Sequence, residues 1–184
     1  MTRFGVALVL IASVLAVGAA DAAVHPRNDR TPATVSVRQT SEARSLQAQV
    51  LLAINNLRRD KGLSELRLNS ALSRAALGHS LSMAKHGFFS HSGWNGSPFW
   101  QRIKPNYRPQ AASNWSIGEN MLWASPELSA DQAIEMWLAS PPHRKNLLTP
   151  AWREVGLGAV RALAAPGVYE GLDVTILTAD FGVR

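Results

Sequence analysis

From Ala43 onward apolar side chains recur every three or four residues, at Leu46, Val50, Ile54 and Leu57, until Gly62 interrupts them. That period sets them on one face of an amphipathic helix, and Thr40 or Ser41 supplies the side-chain oxygen that caps its first turn. A second helical stripe, Leu72, Ala76, His79, Met83 and His86, opens after the capping residue Asn69 and is stopped by Gly87. A third begins at Ser129, where Gln132 completes a capping box, and buries Ala133, Ile134 and Trp137. Ser140 ahead of Pro141 then reads as a new N-cap and first helical position, with the hydroxyl facing the helix amides. His143 therefore falls in the first turn of a short fourth helix.

Strand patterns are fewer. They cover Ser116 to Trp123, Glu154 to Ala162, and Leu172 to Phe181, the last rich in β-branched Val174, Thr175, Ile176 and Thr178. Pro166-Gly167 separates the second from the third, which predicts an antiparallel hairpin with a longer loop. Four helical segments and three strands predict a layered α+β domain over 41–184, and a chain of that length suits one core.

The start of the chain has a different pattern. Arg3, an uncharged apolar run from Phe4 to Ala20 and small residues through Ala23 have the layout of a signal peptide over 1–23, cleaved after Ala20, Ala22 or Ala23. The run is shorter than the ~20 residues a spanning helix needs, so no transmembrane segment is expected after cleavage. Residues 24–40 are polar and without apolar period, and are expected to be a disordered spacer. These features predict a secreted or otherwise extracytoplasmic protein, in the periplasm, at the cell surface or in the medium.

Composition narrows the partners. The formal charge is +6, and loss of residues 1–23 leaves it unchanged because Arg3 and Asp21 cancel. A cationic exported protein tends towards anionic envelope polymers and lipid surfaces. No cluster of lysine and arginine interleaved with aromatics occurs, so no specific nucleic-acid partner is expected and solubility is the plainer role of the charge. The chain has no cysteine, so the fold holds without disulfides in an oxidising compartment. A monomer is expected.

The chemistry-bearing residues sit in three distinctive runs. His91 lies in Gly87-Phe88-Phe89-Ser90-His91-Ser92, Glu119 in Ile117-Gly118-Glu119-Asn120-Met121, and His143 in Ser140-Pro141-Pro142-His143-Arg144-Lys145-Asn146-Leu147-Leu148. Two imidazoles and a carboxylate can hold a divalent metal or share a proton, if the fold brings them together. Around them stand Ile54-Asn55-Asn56-Leu57-Arg58-Arg59-Asp60-Lys61-Gly62-Leu63, Leu66-Arg67-Leu68-Asn69, the helix from Ala133 to Ala139, Val155-Gly156-Leu157-Gly158 and Asp180-Phe181-Gly182. In this joint order, from Leu46 to Arg184, the chain resembles the CAP superfamily, the SCP-domain proteins that include cysteine-rich secretory, antigen-five and pathogenesis-related proteins. The lack of cysteine resembles its bacterial branch.

The resemblance implies a three-layer α-β-α sandwich with a small antiparallel sheet between helices, and a central cavity lined by two His and two Glu. His91, Glu119 and His143 match three of the four. Ser140 stands where the second Glu belongs, and Glu135 lies on another face of its helix and does not replace it. The resemblance further implies an extracytoplasmic binding or interaction module, for a lipid-like ligand or an envelope polymer, with the cavity lined by His91, Glu119, Ser140 and His143. A secreted metal-dependent hydrolase acting on peptide or envelope polymer is the alternative, with His91, Glu119 and His143 as its catalytic candidates, and whether the protein is an enzyme stays open.

Each chemical reading has a plainer rival. His91, His143 and Glu119 have the ligand count of a zinc centre with one open position, so zinc or another divalent cation is the implied cofactor. The same three groups could instead hydrogen-bond across a cavity floor and fix loop packing. No zinc-protease helix motif is present. Ser140, His143 and Glu119 could be a nucleophile, base and orienter, but Ser140 has a capping role and the nucleophile-elbow context is missing. His79 and His86 form a rival metal pair whose place on a helical stripe favours ordinary packed histidines. Of the six Trp, most are expected in the core, Trp137 among them, whereas Trp94 and Trp100 flank the loop after His91, the kind of segment that can carry a ligand contact.

Overall fold

The computed structural model describes residues 36–108 and 115–184; the expected leader over 1–23 and the spacer up to residue 35 lie outside the described residues. Helix α1 runs Ser41–Asp60 and α2 Ser70–His86. The Thr40 side chain accepts from the Ala43 amide, and Asn69 accepts from Ala71 and Leu72, as their capping positions require. Gly87, at φ 67°, ends α2 in the left-handed conformation. A Cβ there would also lie 2.7 Å from the Pro166 backbone, so glycine is required twice over. After α3 (Phe99–Ile103) come β3 (Ser116–Ala124), α4 (Ala130–Ala139) with its Ser129–Gln132 capping box, α5 (Pro141–Leu148), β4 (Glu154–Leu163) and β5 (Val174–Val183).

The three long strands are antiparallel, with β5 between β4 and β3 and with β3 at the edge of the sheet. Residue alternation sorts their two faces. Val155, Leu157 and Ala159 of β4, with Leu177, Ala179 and Phe181 of β5, join Leu46, Val50, Ile54, Ala133, Trp137 and Leu147 from α1, α4 and α5 in the main core. The opposite face carries Gly156 and Gly158, whose absent side chains let α2 lie directly on the sheet: a Cβ on Gly156 would come within 2.1 Å of the Leu72 and Ser73 backbone. Ser80 of α2 donates to the Gly158 carbonyl at 2.9 Å across that contact. The result is the expected sandwich, helices on both faces of a small sheet.

Several short elements were not legible in the pattern. The spacer expected over 24–40 contains a strand at its end: β1 (Ser36–Arg38) lies antiparallel along β4, Val37 opposite Ala162. Three residues are too few to show an alternation, and it is the free edge of β4 that orders them. Likewise β2 (Arg67–Leu68) pairs parallel with Glu154 and Val155, and the five-residue α3 follows Pro98. The Ser140 cap also needs correction. Ser140 does occupy the N-cap position of α5, but its hydroxyl makes no capping bond. Pro141 and Pro142 have no amide hydrogen to offer, which removes the donors nearest to it. The Ser140 carbonyl still accepts from the Arg144 amide at 2.8 Å.

Candidate functional site at the sheet edge

The register sets Glu119 on β3 opposite Asp180 on β5, which in turn faces Gly156 on β4. Directly paired residues share a face, so both carboxyls point to the α2 side of the sheet. The Glu119 side chain is 1% exposed. Its Oε1 accepts from His91 Nδ1 at 2.6 Å, and its Oε2 is ion-paired with the Arg102 guanidinium of α3. Arg102 also donates from Nη1 to the His91 carbonyl at 2.9 Å. One buried carboxylate thus ties the loop after α2 to α3, through His91 and Arg102.

His143 comes from the other side of the edge strand. Asn120 Nδ2 donates to the His143 carbonyl at 3.0 Å, and Asn146 Nδ2 donates to the Glu119 carbonyl and to Asn120 Oδ1, each at 2.9 Å. These bonds use the backbone acceptor that an edge strand leaves unpaired and dock α5 along β3. The half-buried His143 imidazole is held below its ordinary value, first by burial and then by the charge of the neighbouring His91. His91 is lowered in turn by burial and by Arg102, with Asp180 opposing. With Nδ1–H engaged by a buried carboxylate, the 55% exposed His91 side chain turns its Nε2 edge outward.

Two further groups belong to this cluster. Asp180 is fully buried, and neither of its carboxyl oxygens has a hydrogen-bond partner among the described residues. Burial pushes it up to about 7, against the pull of Arg102 and His91. His79 is 3% exposed and donates from Nε2 to the Ser90 carbonyl at 2.9 Å, with its ring edge-on to Phe88. Burial, with Arg102 second, lowers it to about 4. His86 instead stacks on Trp94 at 4.9 Å in the open, so the two helix histidines have separate roles and neither environment joins them as a pair. Arg102 and Asp180 are the site residues that sequence reasoning missed. Asp180 had one signal, a lone carboxylate in an otherwise apolar, β-branched strand.

Ser140 is half-buried between α4 and α5, and no hydrogen bond joins it to His91, Glu119 or His143. The expected set of three metal ligands fits poorly as arranged. Both Glu119 oxygens are engaged, one by a permanent cation, and among the described residues no group of three His, Cys, Asp or Glu side chains is placed to hold an ion. Trp94 and Trp100 are 60% and 42% exposed. Trp100 borders a surface recess of about 560 Å³ with Gln101, Lys104, Pro105 and Arg108, lined by none of the cleft side chains.

These features define an α-β-α sandwich with a histidine–carboxylate cluster at its edge strand. The chain belongs to the CAP, or cysteine-rich secretory protein, family, whose model matches residues 51–169. It is 28% identical over 139 residues to the uncharacterized protein YkwD of Bacillus subtilis, covering 72% of this chain and 51% of that protein. Similarity to the uncharacterized membrane protein YlbC of the same organism is 28% over 131 residues, 71% of this chain and 36% of that one. This chain thus spans about half of one of these curated relatives and about a third of the other. Among solved structures, an extracellular SCP-domain protein from Bacillus anthracis aligns with a TM-score of 0.60 at 23% identity, over 77% of this chain and 41% of that one. An outer surface protein of Borrelia burgdorferi aligns at 0.59 and 20%, over 81% and 98%. At these identities the structures report on the fold alone.

Proposed function

We propose that the protein is an exported binding or interaction module whose ligand cleft is bordered by His91 and His143 above the buried Glu119, with Ser140 at its rim. The observation that carries this reading is the engagement of both Glu119 oxygens, by His91 and by Arg102. A carboxylate so occupied fixes an imidazole rather than activating a water. Two half-exposed imidazoles are then left as hydrogen-bonding groups, the pattern of a recognition site. The ligand class is a lipid-like molecule or an envelope polymer. Exposed Trp94 and Trp100 on the segment after His91 offer apolar contact, and the +6 charge favours anionic surfaces. Export is supported by the leader pattern over 1–23, and no described helix is long and apolar enough to cross a membrane. The module acts as a monomer.

The His91–Glu119 pair favours a second reading, a secreted hydrolase of peptide or envelope polymer, because a buried carboxylate that orients an imidazole readies its other nitrogen as a base. No Ser or Thr hydroxyl among the described residues bonds to either cleft imidazole, so the nucleophile would be water. One experiment separates the readings. The protein is titrated with fatty-acid-containing phosphatidylglycerol vesicles and with soluble cell-wall fragments, following tryptophan fluorescence and product release. The binding reading expects saturable binding that weakens ~10-fold in His91→Ala/His143→Ala and only modestly in Glu119→Gln. Turnover that falls ~10²-fold in Glu119→Gln would establish the hydrolase instead, and neither binding nor turnover would contradict both.

A further inference from the structure

We propose that Arg102 is the resident cation of the cleft: its guanidinium occupies Glu119 where a divalent ion would bind, and the cleft takes its ligand without metal. This rests on the reading of the cleft as a binding site, and goes beyond it by naming what neutralises the site. A buried carboxylate must have its charge balanced. Arg102 is the permanent cation paired with Glu119, whereas an imidazole donates from Nδ1 whether or not it is charged, so the balancing charge falls to Arg102. The guanidinium is well placed for this, 19% exposed, paired with Glu119, bonded to the His91 carbonyl and lying 5.9 Å from the Phe99 ring centroid.

The same geometry works against an added ion. Metal on the outward Nε2 of His91 would sit across the ring from Glu119, since Nδ1 holds the carboxylate. Metal on Glu119 itself would have to displace Arg102 or lie against it, where like charges repel strongly in a poorly solvated site. Asp180, on the same face of the neighbouring strand with no hydrogen-bond partner among the described residues, adds a second buried carboxyl within the field of Arg102. Arg102 and His91 belong to one connected segment, so the cation and the recognition group are positioned together.

Zinc titration calorimetry on the full chain tests this, with wild type, Arg102→Lys, Arg102→Gln, Glu119→Gln and Arg102→Gln/Glu119→Gln. Wild type and Arg102→Lys are expected to bind zinc weakly or not at all, with Glu119→Gln matching wild type within about twofold. Arg102→Gln, which frees Glu119, should bind zinc ~10-fold tighter, and the double variant should lose that gain. A folded Arg102→Gln that gains nothing overturns the proposal, as does a ~10-fold loss on Glu119→Gln in the wild-type background. Should Arg102→Gln show no cooperative melt, the comparison of wild type with Glu119→Gln decides alone: equal affinity supports the proposal and the tenfold loss overturns it. These titrations contain no lipid or polymer, so their failure leaves the binding-module reading standing.

Discussion

At Glu119 a carboxylate with almost no exposure meets an imidazole and a guanidinium, and removing its charge leaves the mostly buried Arg102 without its paired carboxylate. Breaking one partner of a buried pair costs about 3 kcal/mol or more. Glu119→Gln is therefore expected to lose ~3 kcal/mol in urea melts, whereas His91→Ala, at a half-exposed position, should lose under ~1 kcal/mol. At His79 the folded value of about 4 lies below the ordinary 6.5, so the native state binds fewer protons than the unfolded chain between those values. Its contribution is present above pH 6.5 and is lost as the pH falls toward 4. Asp180 runs the other way: its folded value of about 7 exceeds the ordinary 3.8, so its cost grows as the pH rises through that window. The two trends oppose one another in wild type, and a substitution uncovers them. Between about pH 7 and pH 5, His79→Gln should gain ~2 kcal/mol relative to wild type; parallel stability curves would contradict this. The runs around His91, Glu119 and His143 single these residues out in the sequence, and the bond between His91 and Glu119 joins two of them. Arg102 was not, because a lone arginine in a loop-like stretch has no pattern, and only the fold brings it beneath His91.

The helices were legible as elements because each carries an apolar stripe and its own punctuation. Thr40, Asn69, Gly87 and the Ser129–Gln132 box all function as their chemistry requires. β1, β2 and α3 were not, since two to five residues cannot display a period and their order comes from partners distant in sequence. Gly156-Leu157-Gly158 had a visible motif whose physical meaning is the contact with α2. Gly156→Ala would drive a methyl into helix backbone rather than into a yielding side chain. A loss of ~3 kcal/mol is expected in chemical denaturation, and a change within ~0.5 kcal/mol would show that α2 lies further from β4. Arg58 makes a comparable link between α1 and α5. Its buried guanidinium donates to the carbonyls of Ser64 at 2.9 Å, Leu147 at 2.8 Å and Thr149 at 3.1 Å. It thereby satisfies acceptors that the end of α5 leaves free. Periodicity marked α1 as amphipathic but gave no reason to bury its arginine.

For the whole molecule, alternation and helical period together predict a layered α+β domain, while the three-layer order of the sandwich was legible only through resemblance. Strand order and the face each helix covers depend on contacts between residues far apart in the chain, such as Leu72 against Gly156, and no local pattern encodes them. That arrangement makes β3 an edge strand, and the edge lets a loop from one layer and a helix from the other dock on the same stretch of it, His91 at Glu119 and His143 at Asn120. The most direct test of this account is the titration of His143, followed by NMR in wild type and in His91→Ala. The His143 imidazole is held below its ordinary value by burial and by His91, so removing His91 should both open it to water and take away a like charge. The His143 pKa is therefore expected to rise in His91→Ala. An unchanged titration would mean that the two imidazoles do not share a cleft.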